Sequence, residues 1–164
     1  MQPNPKVQSP AALVGLTVVT LGLYSPFWYY RVNREMRDLG RASGEGDLAG
    51  SKPGRSVWAL VLGAFVVVPA VVSFAGTAGR LARCERIAGV QPGGAGAITA
   101  LIAIAYVTGI ATSMVPPAAA AALVIVDLAC WFAALVAIQR RLNVLWRDDL
   151  LAAGAPAGDT AVAA

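Results

Sequence analysis

The chain has 164 residues, 57% hydrophobic and 13% charged, with thirteen Lys and Arg against nine Asp and Glu for a net charge of +4. Soluble domains carry about 25% charged residues. Apolar runs near the ~20 residues that a membrane-crossing helix needs therefore argue against a soluble bundle, which would lack the polar surface to cover them. Histidine is absent, which removes the commonest catalytic base and metal ligand. The two cysteines, Cys84 in a charged stretch and Cys130 in an apolar run, offer neither a disulfide framework nor a metal spacing.

The pattern predicts an all-α integral membrane helical bundle. Its four hydrophobic segments are 11–30, 57–79, 95–115 and 118–139, with interfacial amphipathic helices at 28–40, 80–90 and 140–151. Residues 1–10 form a flexible polar lead with three prolines. It reads as uncleaved, because no Ala-x-Ala-like site precedes a soluble domain. In the first segment Pro26 lacks a donor and clashes with the carbonyl of Gly22, so a kink or break is expected. The segment either spans or is re-entrant, turning near Gly22.

Trp28, Tyr29 and Tyr30 fit an aromatic belt at headgroup level. Beyond them Trp28, Val32, Met36 and Leu39 share one helical face, and Arg31, Arg34, Glu35, Arg37 and Asp38 fill the rest, as in a helix lying in the interface. Gly40 is a helix stop by its type, and 41–56 is a loop. Pro69 predicts a kinked second span. Residues 80–90 are amphipathic again, with Leu81, Cys84, Ile87 and Ala88 opposite Arg80, Arg83, Glu85 and Arg86. Pro116-Pro117 joins the last two segments so tightly that an antiparallel hairpin must result. Ala129, Ala133 and Ala137 form a small stripe suited to close packing. Residues 152–164 are Ala/Gly/Pro-rich, predicting a disordered tail.

The cations pose a conflict. If the second segment spans, Arg31, Arg34, Arg37, Arg41, Lys52 and Arg55 face Arg80, Arg83, Arg86, Arg140, Arg141 and Arg147 across the bilayer. The positive-inside rule calls for a bias, and this arrangement has none. If the first two segments both turn back, the second at Pro69, all the cations share one face. Four segments near span length are nevertheless the expectation.

The stretch Thr20-Leu21-Gly22-Leu23-Tyr24, followed by Trp28-Tyr29-Tyr30-Arg31-Val32-Asn33-Arg34-Glu35, resembles the domain-of-unknown-function 4234 family of small bacterial membrane proteins. Its Gly22, Tyr24, Trp28, Tyr30, Arg31, Asn33 and Glu35 match that family's first motif. Gln139, Leu142, Asn143 and Trp146 are similar to a later one, and the Arg-rich segment closing on Ala88-Gly89-Val90 fits the same pattern. The resemblance covers roughly Leu16 to Trp146 and departs at Ser25-Pro26. It implies a location in the bacterial cell membrane and no particular activity.

Asp127 is the ionisable residue well inside an apolar run, a costly placement that marks a candidate polar site. Counting back from the Pro116-Pro117 turn puts it opposite Tyr106, with Thr108 near, and a protonated Asp127 could hydrogen-bond Tyr106. Asn33 and Glu35 could likewise bond Gln139 and Asn143 if both amphipathic helices share a side. No nucleophile–base pair and no phosphate-binding glycine signature is present. The expectation is a non-enzymatic protein without cofactor or metal. Its partners would be the bilayer, with anionic headgroups, and other membrane proteins or further copies of itself, with no nucleic acid. The alternative is a small transporter or channel subunit using Asp127.

Overall fold

The computed structural model describes residues 7–63 and 67–154, with side chains as far as Arg147. Most of the expected lead and tail (1–6 and 155–164) lies outside the described residues, and residues 152–154 belong to a helix. Among the described residues every regular element is helical: α1 (Pro10–Val19), α2 (Tyr24–Ser43), α3 (Gly46–Ala49), α4 (Pro53–Gly63), α5 (Val67–Ile87), α6 (Ala95–Thr112) and α7 (Pro117–Gly154).

The first apolar segment is two helices. α1 has 10 residues, about 15 Å, half the ~30 Å of a hydrocarbon core. It ends in a turn at Leu21 (φ 50°) and Gly22 (φ 89°). Glycine reaches that left-handed conformation without steric cost. Thr20 joins the two helices: its hydroxyl donates to Leu16 O (2.7 Å) and accepts from the Tyr24 amide (3.0 Å). The other amides of the turn are paired as well. Leu21 donates to Val18 O, Gly22 to Thr17 O, Leu23 to Thr20 O and Ser25 to Gly22 O. The break therefore falls at Gly22 and not at Pro26. Pro26 is the third residue of α2, where a missing amide leaves no intrahelical bond unmade. α2 also runs past Gly40 to Ser43 and stops at Gly44 (φ 75°). A Cβ on Gly40 would lie 2.3 Å from that of Leu48, so glycine here lets α3 pack onto α2.

The second segment is likewise divided, between α4 and α5. Three residues separate them, so helices that pack side by side must be antiparallel; Ser73 Oγ on α5 donates to Ser56 O on α4 (3.2 Å). Pro69 lies near the start of the described part of α5. α6 and α7 form the third hairpin, as the Pro116-Pro117 turn predicts, and α7 carries the expected 140–151 helix as a direct continuation. Among the described residues two helical stretches, Ala95–Thr112 and Pro117–Arg147, are long and apolar enough to cross a membrane. Of the four expected segments, two are long helices among the described residues, and the other two are each divided into shorter helices.

The buried side chains recur at helical spacing: Trp28, Tyr29, Val32 and Met36 on α2, Phe74, Ala78, Leu81 and Cys84 on α5, Ile98, Ile102 and Ala105 on α6, and Leu135, Ile138, Leu142 and Trp146 on α7. Ala129 and Ala133 are exposed; the packing face of α7 runs through Ala134 and Leu135 instead. Large apolar residues left exposed gather toward the hairpin turns, among them Leu21, Leu23, Leu62, Val68, Val107 and Met114.

Candidate functional site

Three polar clusters tie the helices together at the ends away from those turns. The first joins the two sequence motifs. Trp28 Nε1 donates to Gln139 Oε1 (2.7 Å), and Gln139 Nε2 donates to Asn143 Oδ1 (2.8 Å). Asn143 Nδ2 continues to Gln8 O (2.7 Å). The Gln8 side chain donates to Tyr24 OH (3.0 Å) and accepts from Arg31, which also lies 3.6 Å from Glu35. Both amphipathic stretches therefore share a side. The partners are Trp28, Tyr24 and Arg31, and Gln8 is the link that the sequence left unmarked. Gly22 acts through the turn that aims Tyr24. Tyr30 is exposed, and Trp146 is buried in the core with its indole N–H unpaired among the described residues.

The second cluster holds Asn33. Its Nδ2 donates to Tyr29 O one turn back (2.9 Å). Its Oδ1 accepts from Arg80 Nη2 (2.6 Å) and from Thr77 Oγ1 (3.2 Å). Tyr29 OH meets Thr77 Oγ1 (2.6 Å) and Ser73 Oγ (2.9 Å). Arg80 Nη2 also donates to Ser56 Oγ (3.2 Å) and Thr77 Oγ1 (3.0 Å). Burial holds the Arg80 guanidinium below the usual arginine range, although arginine stays charged at any physiological pH. Asn33 thus bonds across to α5 and not to Gln139 or Asn143. Ser73 and Thr77 escape sequence reading, because single hydroxyls in an apolar run carry no pattern, and Ser56 and Arg80 read there only as loop and as a flanking cation.

The third cluster is an ion pair. Glu85 is 3% exposed, and its carboxylate takes two bonds from Arg141, Nε to Oε1 (2.6 Å) and Nη2 to Oε2 (2.5 Å). The Gly93 amide donates to the same carboxylate (2.9 Å), and a Cβ there would press on the guanidinium at 2.9 Å. This pair, planar and doubly bonded, pins the loop before α6 to both α5 and α7.

Asp127 stands apart from all three. Among the described residues it makes no hydrogen bond, and its carboxyl faces Gly109, where a Cβ would lie 3.7 Å from Oδ2. Tyr106 instead stacks edge-on against Trp131, centroids 6.2 Å apart, while Thr108 bonds within α6 to Ile104 O and Ala105 O. Both shifts have one cause. Helical side chains lean toward the N-terminus, so Asp127 leans toward the hairpin turn and Tyr106 away from it, about one helical turn each.

Among the described residues no group of His, Cys, Asp and Glu is placed to hold a metal. No curated protein and no solved structure matches the chain. Residues 8–143, which run from Gln8 to Asn143 and enclose all three clusters, match the family described as domain of unknown function DUF4234, and the chain belongs to that family.

Proposed function

We propose that this is a small integral protein of the bacterial cell membrane that inserts its helical hairpins from one face. The α6/α7 pair crosses, and the shorter α1/α2 and α4/α5 pairs enter partway. It works without catalysis, by contact with anionic lipid headgroups and with other membrane proteins or further copies of itself.

One observation supports this reading: the segments bearing the two sets of cations that a spanning second segment would separate are bonded to each other. Arg83 pairs with Asp47 at 2.5 Å, and Arg80 bonds Asn33. A face holding the cations together restores the bias that topology requires. Thiol labelling tests it. In a chain lacking Cys84 and Cys130, Gly46→Cys and Arg86→Cys should react with an impermeant maleimide from the same side of the membrane, and Met114→Cys from the other. Gly46 and Arg86 on opposite sides would overturn the proposal.

A second reading, a transporter or channel subunit, rests on Asp127, whose carboxyl is unpaired among the described residues and set in an apolar helix. There Asp127→Asn abolishes a pH-dependent flux in liposomes. An unchanged flux, or none in the wild type, removes that reading.

A further inference from the structure

Of the arginines that the structure half-buries, Arg31, Arg37 and Arg141 each stand beside a carboxylate, respectively Glu35, Asp38 and Glu85. Arg80 has none among the described residues. Its neighbours are the neutral oxygens of Asn33, Ser56 and Thr77, all bonded to one nitrogen, Nη2. Its Nε is buried without a partner. The other terminal nitrogen, Nη1, makes no hydrogen bond among the described residues and lies over exposed Gly76, where a Cβ would sit 3.4 Å from it. The guanidinium is thus fixed on its inner side and open on its outer side, with no carboxylate beside it among the described residues.

The surroundings favour an anion from the membrane. Trp58, two residues from Ser56, is 67% exposed, and Tyr30, next to Tyr29, is 43% exposed. Aromatic side chains of this kind mark headgroup depth. Arg55 is exposed immediately before Ser56 and adds a second cation. Arginine presents donors in a plane that matches phosphate oxygens.

We propose that Arg80 binds a phosphate oxyanion, that of an anionic phospholipid headgroup, through Nη1 at the open surface over Gly76. This deepens the membrane reading above and depends on it. The test is native mass spectrometry of the full chain in detergent, titrated with phosphatidylglycerol against phosphatidylcholine. The wild type should take up the first phosphatidylglycerol about tenfold more tightly than Arg80→Gln does, the loss expected of one charge-assisted contact. Gly76→Leu should lose as much; it covers Nη1 from outside, leaves every inner bond of Arg80 in place, and so keeps a folded test of the site. Arg86→Gln, at an exposed cation, should bind as the wild type does. Equal phosphatidylglycerol binding by wild type, Arg80→Gln and Gly76→Leu would overturn the site. Competition by equimolar inorganic phosphate would assign it to a soluble phosphate and overturn the lipid. Neither result bears on the sidedness labelling, so the orientation can stand while this site falls.

Discussion

Cys84 is where burial has its plainest chemical consequence. It is fully buried on α5, and that burial pushes its thiol up to about 12, with the Glu85 carboxylate adding to the shift. An unfolded chain ionises the same thiol near 9. Between these values the unfolded state releases a proton that the folded state keeps, so stability falls as pH rises from about 9 toward 12. The thermal midpoint in detergent should drop more between pH 8 and pH 10.5 for the wild type than for Cys84→Ala. Equal drops would mean that Cys84 is not shielded. The sequence placed this cysteine correctly on the apolar face of a helix, beside Leu81. It could not show that a second helix closes over that face, since burial depends on what arrives from elsewhere in the chain.

At the scale of elements, the motifs were legible and the lengths were misleading. Gln139 and Asn143 lie one turn apart, as do Trp28 and Val32, so each motif presents one face, and the structure lays those faces together through Trp28 and Gln8. Thr20, Gly22 and Tyr24 now have separate tasks: a hydroxyl shared by two helix ends, a left-handed turn, and a phenol reaching Gln8. An apolar run of span length, however, is equally consistent with one crossing and with two half-length helices folded on each other. What decides between them is local backbone geometry that hydropathy does not encode. Pro26 invited a reading as a kink, yet it is the third residue of a helix, a place where proline costs no bond. The even split of the cations is a constraint of another kind, because electrostatics bears on the whole chain and a single proline only on its own turn.

The whole molecule has its polar clusters at one end and hairpins of unequal length at the other. The turns of the first and third hairpins differ in a way that fixes their surroundings. Around Gly22 each amide from Thr20 to Ser25 has an internal acceptor. Amides that are all paired internally lower the cost of resting in hydrocarbon. At the far end of α6, the Val115 amide has no acceptor among the described residues, and Pro116 and Pro117 follow it; such a turn belongs in water. In the membrane placement proposed above, Leu21 and Met114, both strongly exposed at 94% and 78%, face different solvents. A carboxylate at hydrocarbon depth costs about 2.5–3.5 kcal/mol, so Leu21→Asp should destabilise the protein in lipid nanodiscs by that order. Met114→Asp should cost well under about 1 kcal/mol, the ordinary range for exposed sites. Backbone strain does not confuse the comparison. Residue 21 has a positive φ, and Asp tolerates that region better than Leu, so any loss reflects the surroundings and not the turn. Thermal unfolding in nanodiscs and in short-chain detergent separates the cases: the Leu21→Asp loss should shrink in detergent, where water reaches the turn. Equal losses for Leu21→Asp and Met114→Asp in nanodiscs would place both turns at one depth, and the short first hairpin would no longer stop partway into the bilayer.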